Sequence, residues 1–457
     1  MSRSNQPNVI VCLCDQLRSF EVGCYGNSAI QTPNIDQLAQ QGVRFEIACA
    51  NNPVCTPSRS ILLSGQHSRT GAGALGNQAD TPPAQERIRL TDPTLPEIYR
   101  NAGYDTALIG KWHVHPDPGV LGFEETLYPH HNHRNTGQTY FKNSGPGFVV
   151  DDFAPDYEID QVRRYVHEQK DQPFFLFYNI SPPHMPLADA PEKYTQMYDR
   201  DTVPLRDNVW IDGQMAHDED WFKIYLWDYL YYRHHLPYTE NLPENFDLRD
   251  LTALYYGLTT CVDDKVGELM QLLEDAGISD NTILLFTSDH GDNLGSHHQF
   301  NKGRLIEESI RIPMVYSWPG NFGPLHQTTQ VASTVDILPT LCGLSGIEIP
   351  ATAQGTDLSP AIKGKVETVN ESAAYIETRP GEIGIRTATH LYGIQLGGKE
   401  SDGASRPVEN DRHMFYDLRE DPFEFNNLSE TSVQADLAAD LRERVLLWNR
   451  ETPWKQF

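Results

Sequence analysis

Residues 8–15 read NVIVCLCD. The run is continuously apolar and partly β-branched, and it stops on a carboxylate. A parallel strand covered by helices on both faces has this pattern, and its carboxyl end is where open α/β sheets place their ligands. The unit recurs downstream. TPNIDQLAQQGVRF (32–45) reads as an N-capped helix, a Gly stop and a short strand, and TLPEIYRNAGYDTALIGKWH (94–113) as a helix, a Gly turn and a strand delivering Lys111 and His113. PFFLFYNISPPHMP (173–186) is a strand running into a Pro-rich loop with His184. YYGLTTCVDDKVGELMQLLEDAGISDNTILLFTSDHGD (255–292) is a long amphipathic helix, a Gly turn and a strand ending at Asp289 and His290. This alternation predicts an α/β fold: a large mixed, mostly parallel sheet, doubly wound by helices, with four strand ends meeting at one edge.

A chain of 457 residues exceeds what one core usually fills, so two domains are expected. Residues 1–365 carry the α/β pattern; within them 187–250, rich in Tyr, Trp, Asp and His and without regular period, read as an insertion that shapes a site. Residues 366–457 hold short alternating segments such as AAYIETRP and HLYGIQLGG, then DLAADLRERVLLWNR (436–450), which predicts a smaller α+β unit with an antiparallel sheet and a closing helix.

Sixty-three acidic against 36 basic residues give a net charge of −27, which disfavours nucleic acid and anionic membrane surfaces as partners. An anionic substrate then requires a local basic pocket. The first apolar run is too short for a secretion signal, and no stretch is long enough to span a bilayer. Seven scattered cysteines favour reduced thiols, and the expected location is the cytoplasm. The C-x-C of Cys12 and Cys14 fits a strand better than a metal site.

One cysteine stands apart. VCTPSRSILLSG (54–65) places Cys55 directly before a Thr-Pro turn, then Ser, Arg and a helix-forming apolar run, a setting that a merely packed thiol does not need. Cys55-Thr56-Pro57-Ser58-Arg59, followed by Leu62, Leu63, Ser64 and Gly65, resembles the signature of type I sulfatases in the alkaline phosphatase superfamily. Further motifs follow in that family's order from Asn8 to Leu428: Asp15-Gln16, GKWH (110–113), PPHMP (182–186), SDHGD (288–292), FNKG (300–303) with EES (307–309), and FYDLREDPFEFNNL (415–428).

The resemblance implies an alkaline phosphatase-like fold, with a sulfuric ester hydrolase in the N-terminal domain acting on a small anionic sulfated sugar or oligosaccharide. It implies that Cys55 is converted to formylglycine by a formylglycine-generating enzyme. It also implies one divalent ion, calcium, with manganese and magnesium as alternatives, held by Asp15, Gln16, modified Cys55, Asp289 and His290. Arg59 and Lys111 would hold and polarise the aldehyde hydrate, His113 would act as base, and His184 and Lys302 would clamp the sulfate and donate to the leaving oxygen. The oligomeric state stays open.

Two positions depart from the family pattern: many sulfatases carry two aspartates where this chain has Asp15-Gln16, and Asp-Asn where it has Asp289-His290. The pair Gln16 and His290 also resembles phosphonate monoester and phosphodiester hydrolases that share the machinery, the alternative reaction. A binding protein with an unmodified Cys55 is a second rival. The run YPHHNHR (128–134) reads as a solvated or substrate-facing loop, and His297 and His298 lie near enough in sequence to the metal strand to touch substrate. For Arg379 a pocket position and a surface ion pair stand level, as do sugar stacking and packing for WFKIYLWDYLYYRHH (221–235).

Overall fold

A computed structural model describes residues 6–77, 90–91, 93–129, 134–209, 220–237, 246–327, 329–379, 381–396 and 412–455. His130, His131 and His133 of the histidine-rich run lie outside the described residues.

In chain order the strands are β1 (Asn8–Asp15), β2 (Val43–Phe45), β3 (Ala48–Cys49), β4 (Asp105–Gly110), β5 (Glu125–Tyr128), β6 (Thr136–Lys142), β7 (Phe148–Phe153) and β8 (Phe174–Pro183). They continue with β9 (Thr282–Ser288), β10 (Met314–Ser317), β11 (Leu325–Gln327), β12 (Ala332–Ser333), β13 (Ala373–Glu377), β14 (Glu382–Thr387), β15 (His390–Gln395) and β16 (Arg412–Asp417). Ten of them form one sheet in the order β11-β2-β10-β9-β1-β8-β4-β5-β6-β7. Its centre, β9 through β5, is parallel. Antiparallel pairings flank it, β10 against β9 and β2 on one side and β6 against β5 and β7 on the other. The expected mixed, mostly parallel sheet is what the chain forms.

Burial explains the apolar runs. Every residue of β1, β8 and β9 is buried, and successive side chains of β1 enter opposite cores. Ile10, Cys12 and Cys14 meet the helices Pro33–Gln41, Ala154–Gln169 and Leu248–Asp275. Val9, Val11 and Leu13 meet Cys55–Ser64, Leu95–Asn101 and Ile337–Ser345. The C-x-C thiols are therefore core groups, and burial pushes both well above the ordinary thiol range. The long helix starts at Leu248, two turns before Tyr255, because Asp247 and Asp250 form a capping box there.

Strands β13 to β16 make an antiparallel meander, as expected for the C-terminal region. One face packs on Leu441 and Val445 of the helix Ala435–Glu451, the other on Ile47, Leu305 and Ile310 of the main body. Two buried arginines join the sheet to that body. Arg386 donates to both oxygens of Glu307 at 2.7 and 2.9 Å, and Arg69 pairs with Glu377 while lying against the rings of Trp448 and Trp454. Among the described residues no helix is long and apolar enough to cross a membrane.

Candidate active site

The adjacency of β9, β1, β8 and β4 sets four carboxyl ends side by side. Asp15 ends β1, Asp289 and His290 follow β9, His184 follows β8, and Lys111 and His113 follow β4. The last spacing depends on Gly110, whose φ is +97°: a Cβ there would meet the Asn179 carbonyl oxygen at 1.9 Å. Without one, Lys111 N–H donates to that carbonyl at 3.1 Å, and Asn179 Nδ2 donates back to the Lys111 carbonyl at 2.7 Å. Cys55 opens the buried helix Cys55–Ser64 above these ends, and Ser58 Oγ ties that helix to the Asp289 carbonyl at 2.6 Å.

Cys55 Sγ lies at the centre. Lys302 Nζ is 3.0 Å away, His290 Nε2 3.3 Å and Asp15 Oδ1 3.8 Å. Burial opposes ionisation of the thiol, but Lys302, Lys111 and His290 overcome it and hold Cys55 well below its ordinary range. Arg59 bridges the two carboxylates, Nε to Asp289 Oδ2 at 2.8 Å and Nη2 to Asp15 Oδ2 at 3.0 Å, and Lys111 pairs with the same Asp15 oxygen. Burial and the Cys55 charge would raise Asp15, yet Lys111, His184 and Arg59 hold it well below the usual carboxylate range. Burial, then the charge of Asp15, pushes Asp289 upward.

Both outer oxygens are thus taken by cations, while both Oδ1 atoms face inward toward His290 Nε2, at 3.7 Å from Asp15 and 3.5 Å from Asp289. His290 Nδ1 lies 2.9 Å from the Gly291 carbonyl, which anchors the ring and turns Nε2 inward. Ligand atoms of Asp15, Cys55, Asp289 and His290 all lie within 4.8 Å of one another. Two carboxylates and an oriented imidazole fit a divalent cation.

Gln16 is pinned from outside. Its Nε2 donates to Asp292 Oδ2 at 2.7 Å, Tyr225 OH at 2.9 Å and Asn301 Oδ1 at 3.1 Å, so Oε1 points inward and accepts from Lys302 at 2.7 Å. The three residues that orient Gln16 escaped the sequence reading. Asp292 and Asn301 sit inside the quoted motifs SDHGD and FNKG, a usable signal; Tyr225 lies in the aromatic segment, where nothing marks it.

His113 and His184 complete the wall. Burial lowers both, His184 to about 4. His184 Nδ1 lies 2.6 Å from the Met185 carbonyl, which leaves Nε2 for the pocket. Gln16 and His113 both hold left-handed backbone, φ 66° and 56°, a strain that clusters at working sites. A pocket of about 570 Å³ opens over Cys55, His113, His184 and Lys302, and Arg379 and the Trp221–Tyr232 segment line its outer part. His297 and His298 do not line it; His297 turns to Glu424, 3.6 Å away, and Asn208.

Residues 7–347 match the Sulfatase family model, and residues 295–451 match that of the C-terminal region of N-sulphoglucosamine sulphohydrolase. The chain is 29% identical to an ulvan-active sulfatase of Formosa agariphila, over 96% of this chain and 81% of that one. It is 26% identical to an N-acetylglucosamine-6-O-sulfatase of Bacteroides thetaiotaomicron, over 93% and 83%. A structure solved in complex with its substrate D-glucosamine-2-N,6-O-disulfate superposes with a TM-score of 0.81 at 24% identity, covering 97% of this chain and 98% of that one. The phosphonate monoester hydrolase of Agrobacterium radiobacter shares the fold at a TM-score of 0.72 and 22% identity, covering 97% and 95%. The match over most of its length makes this chain a member of the sulfatase family, a sulfuric ester hydrolase.

Proposed function

We propose that the chain releases sulfate from a small sulfated sugar or oligosaccharide. Cys55 is matured to formylglycine by a formylglycine-generating enzyme, and Asp15, Gln16, residue 55, Asp289 and His290 hold one divalent ion, calcium, ahead of manganese and magnesium. The observation that carries this reading is Cys55 Sγ on the pocket floor, 3.0 Å from Lys302 and 3.3 Å from His290, beside two buried carboxylates. The sugar is inferred from the sulfatases acting on ulvan and on N-acetylglucosamine-6-sulfate among the relatives. Residues 1–365 form the catalytic unit, and the meander from Ala373 onward supports a separate C-terminal unit, 366–457. The odd number and scattered spacing of the seven cysteines support a cytoplasmic location.

When bound, the ion neutralises charge on the ester and the formylglycine hydrate supplies the attacking oxygen. The side chains divide the remaining tasks. Arg59 and Lys111 hold the outer carboxylate oxygens, so Asp15 and Asp289 stay turned inward. Lys302 places a positive charge against the sulfate oxygens. His113, which burial keeps neutral, takes the proton from the hydroxyl of residue 55. His184 offers Nε2, and a proton gained beside the bound anion makes that nitrogen a donor to the leaving oxygen.

Two measurements test this. The intact mass of the peptide containing residue 55 should fall by about 18 Da relative to the thiol, as expected when CH2SH becomes CHO; a fully unmodified thiol supports the binding-protein rival. The sulfate and phosphonate esters of one chromogenic alcohol should be hydrolysed with preference for the sulfate. A large phosphonate preference overturns the proposal.

A further inference from the structure

The outer half of the pocket has its own chemistry. Trp221 and Trp227 are 42% and 39% exposed and line it, with Tyr232 beside Trp227 edge to face. Trp227 is braced from behind, stacked on Tyr231 with 14° between planes. Asp228 lines the same space fully buried; Leu187 N–H donates to its Oδ2 at 2.6 Å, and Oδ1 has no hydrogen-bond partner among the described residues. Arg304 and Arg379 also line it. Arg304 shares its charge with Glu382 at 3.4 Å, whereas Arg379 has no ion-pair partner among the described residues.

Arg379 is exposed, but its backbone and stem are held in place. It stands on the turn between β13 and β14, closed by Gly381 N–H donating to Thr378 O at 3.1 Å and anchored by the buried Glu377–Arg69 pair. Its stem lies across Gly76, where a Cβ would meet Arg379 Cδ at 2.8 Å. On a chain of net charge −27, a guanidinium that lines the pocket without an ion-pair partner among the described residues suits an anion there.

Resting on the sulfatase reading, we infer that the preferred substrate is a sugar carrying a second negative group besides the scissile sulfate. The indoles of Trp221 and Trp227 take the ring's apolar face, Asp228 Oδ1 accepts a hydroxyl, and Arg379 pairs with the second anion, a carboxylate or another sulfate.

The test uses three sugars: N-acetylglucosamine 6-sulfate with one anion, N-sulfoglucosamine 6-sulfate with two, and a disaccharide joining the monosulfated sugar to a uronate. The wild type should favour at least one two-anion sugar by about tenfold in kcat/KM, and which one it is names the second group. Arg379→Gln should bring that ratio close to one, through KM, and Arg379→Lys should restore part of it. Calorimetric binding to Cys55→Ala supplies an arm independent of turnover. Equal kcat/KM for all three sugars, or an unchanged ratio in Arg379→Gln, overturns the inference while sulfate release leaves the sulfatase reading standing. Binding that prefers two anions, with no sulfate released by the mature enzyme, overturns the sulfatase reading instead. No binding of any of the three overturns the inference too.

Discussion

The Gln16 side-chain amide donates to the Asp292 carboxylate at 2.7 Å, and this contact turns the amide oxygen toward Lys302. Asp292 itself reaches no atom of Cys55, so its influence on the site runs through Gln16.

Asp292→Ala should lower turnover by about 10- to 100-fold, the usual effect of losing a group that orients a ligand. It also strands the Gln16 and Tyr225 donors and should cost about 1–3 kcal/mol of stability. Asp292→Asn keeps an acceptor and should retain much of both. Steady-state kinetics with thermal unfolding of the two variants checks this; a wild-type rate in Asp292→Ala means Gln16 needs no such anchor.

Arg59 hydrogen-bonds both Asp15 and Asp289. Removing it as Arg59→Ala leaves two buried carboxylates short of a counter-charge and should destabilise the fold by about 3–5 kcal/mol in chelator. Excess calcium should recover part of that loss. Urea unfolding with and without calcium reads the difference, and equal midpoints for variant and wild type would remove Arg59 from this balance.

Exhaustive dialysis against a chelator should abolish sulfate release, and calcium should restore it. Asp289→Asn should stay inactive at any calcium concentration and bind less than one ion per chain by elemental analysis. A chelated protein working at full rate ends the case for a resident ion.

Glu158 offers a test remote from the chemistry. Burial pushes its carboxyl from 4.5 up to about 8, with Tyr140 OH donating to Oε1 at 2.8 Å. The folded state therefore keeps a proton that the unfolded chain releases. The associated stability is fully present below 4.5 and is lost as pH rises through about 8, on the order of 5 kcal/mol in total. Glu158→Gln mimics the protonated acid and should flatten the fall in urea midpoint between pH 5 and 8. A slope equal to wild type would assign the pH dependence elsewhere.

What was readable in the sequence is what repeats locally. The runs at β1, β8 and β9 announce strands because both faces are buried, and the residues that follow them fall at one edge because parallel strands end together. The alternation in AAYIETRP and HLYGIQLGG announced antiparallel strands for a different reason: successive side chains point to opposite faces of the meander. Contacts between distant segments left no such trace. Tyr225 reaches Gln16 across 209 positions from a stretch without period, and the start of the long helix was hidden because its cap lies in that same stretch. His297 looked placed for substrate by its nearness to β9, yet its backbone, at φ 51°, carries the ring to Glu424. Arg379 was undecidable from sequence because its place depends on a turn braced by Arg69, more than three hundred positions away.

That brace ties the C-terminal tail to selectivity. Arg69 is sandwiched between Glu377 and the rings of Trp448 and Trp454, so the last helix works as a clasp on the hairpin that holds Arg379. A protease nick that frees this helix would leave the nucleophile's surroundings in place and slacken the arm that measures what lies beyond the sulfate, blunting discrimination before it silences the enzyme.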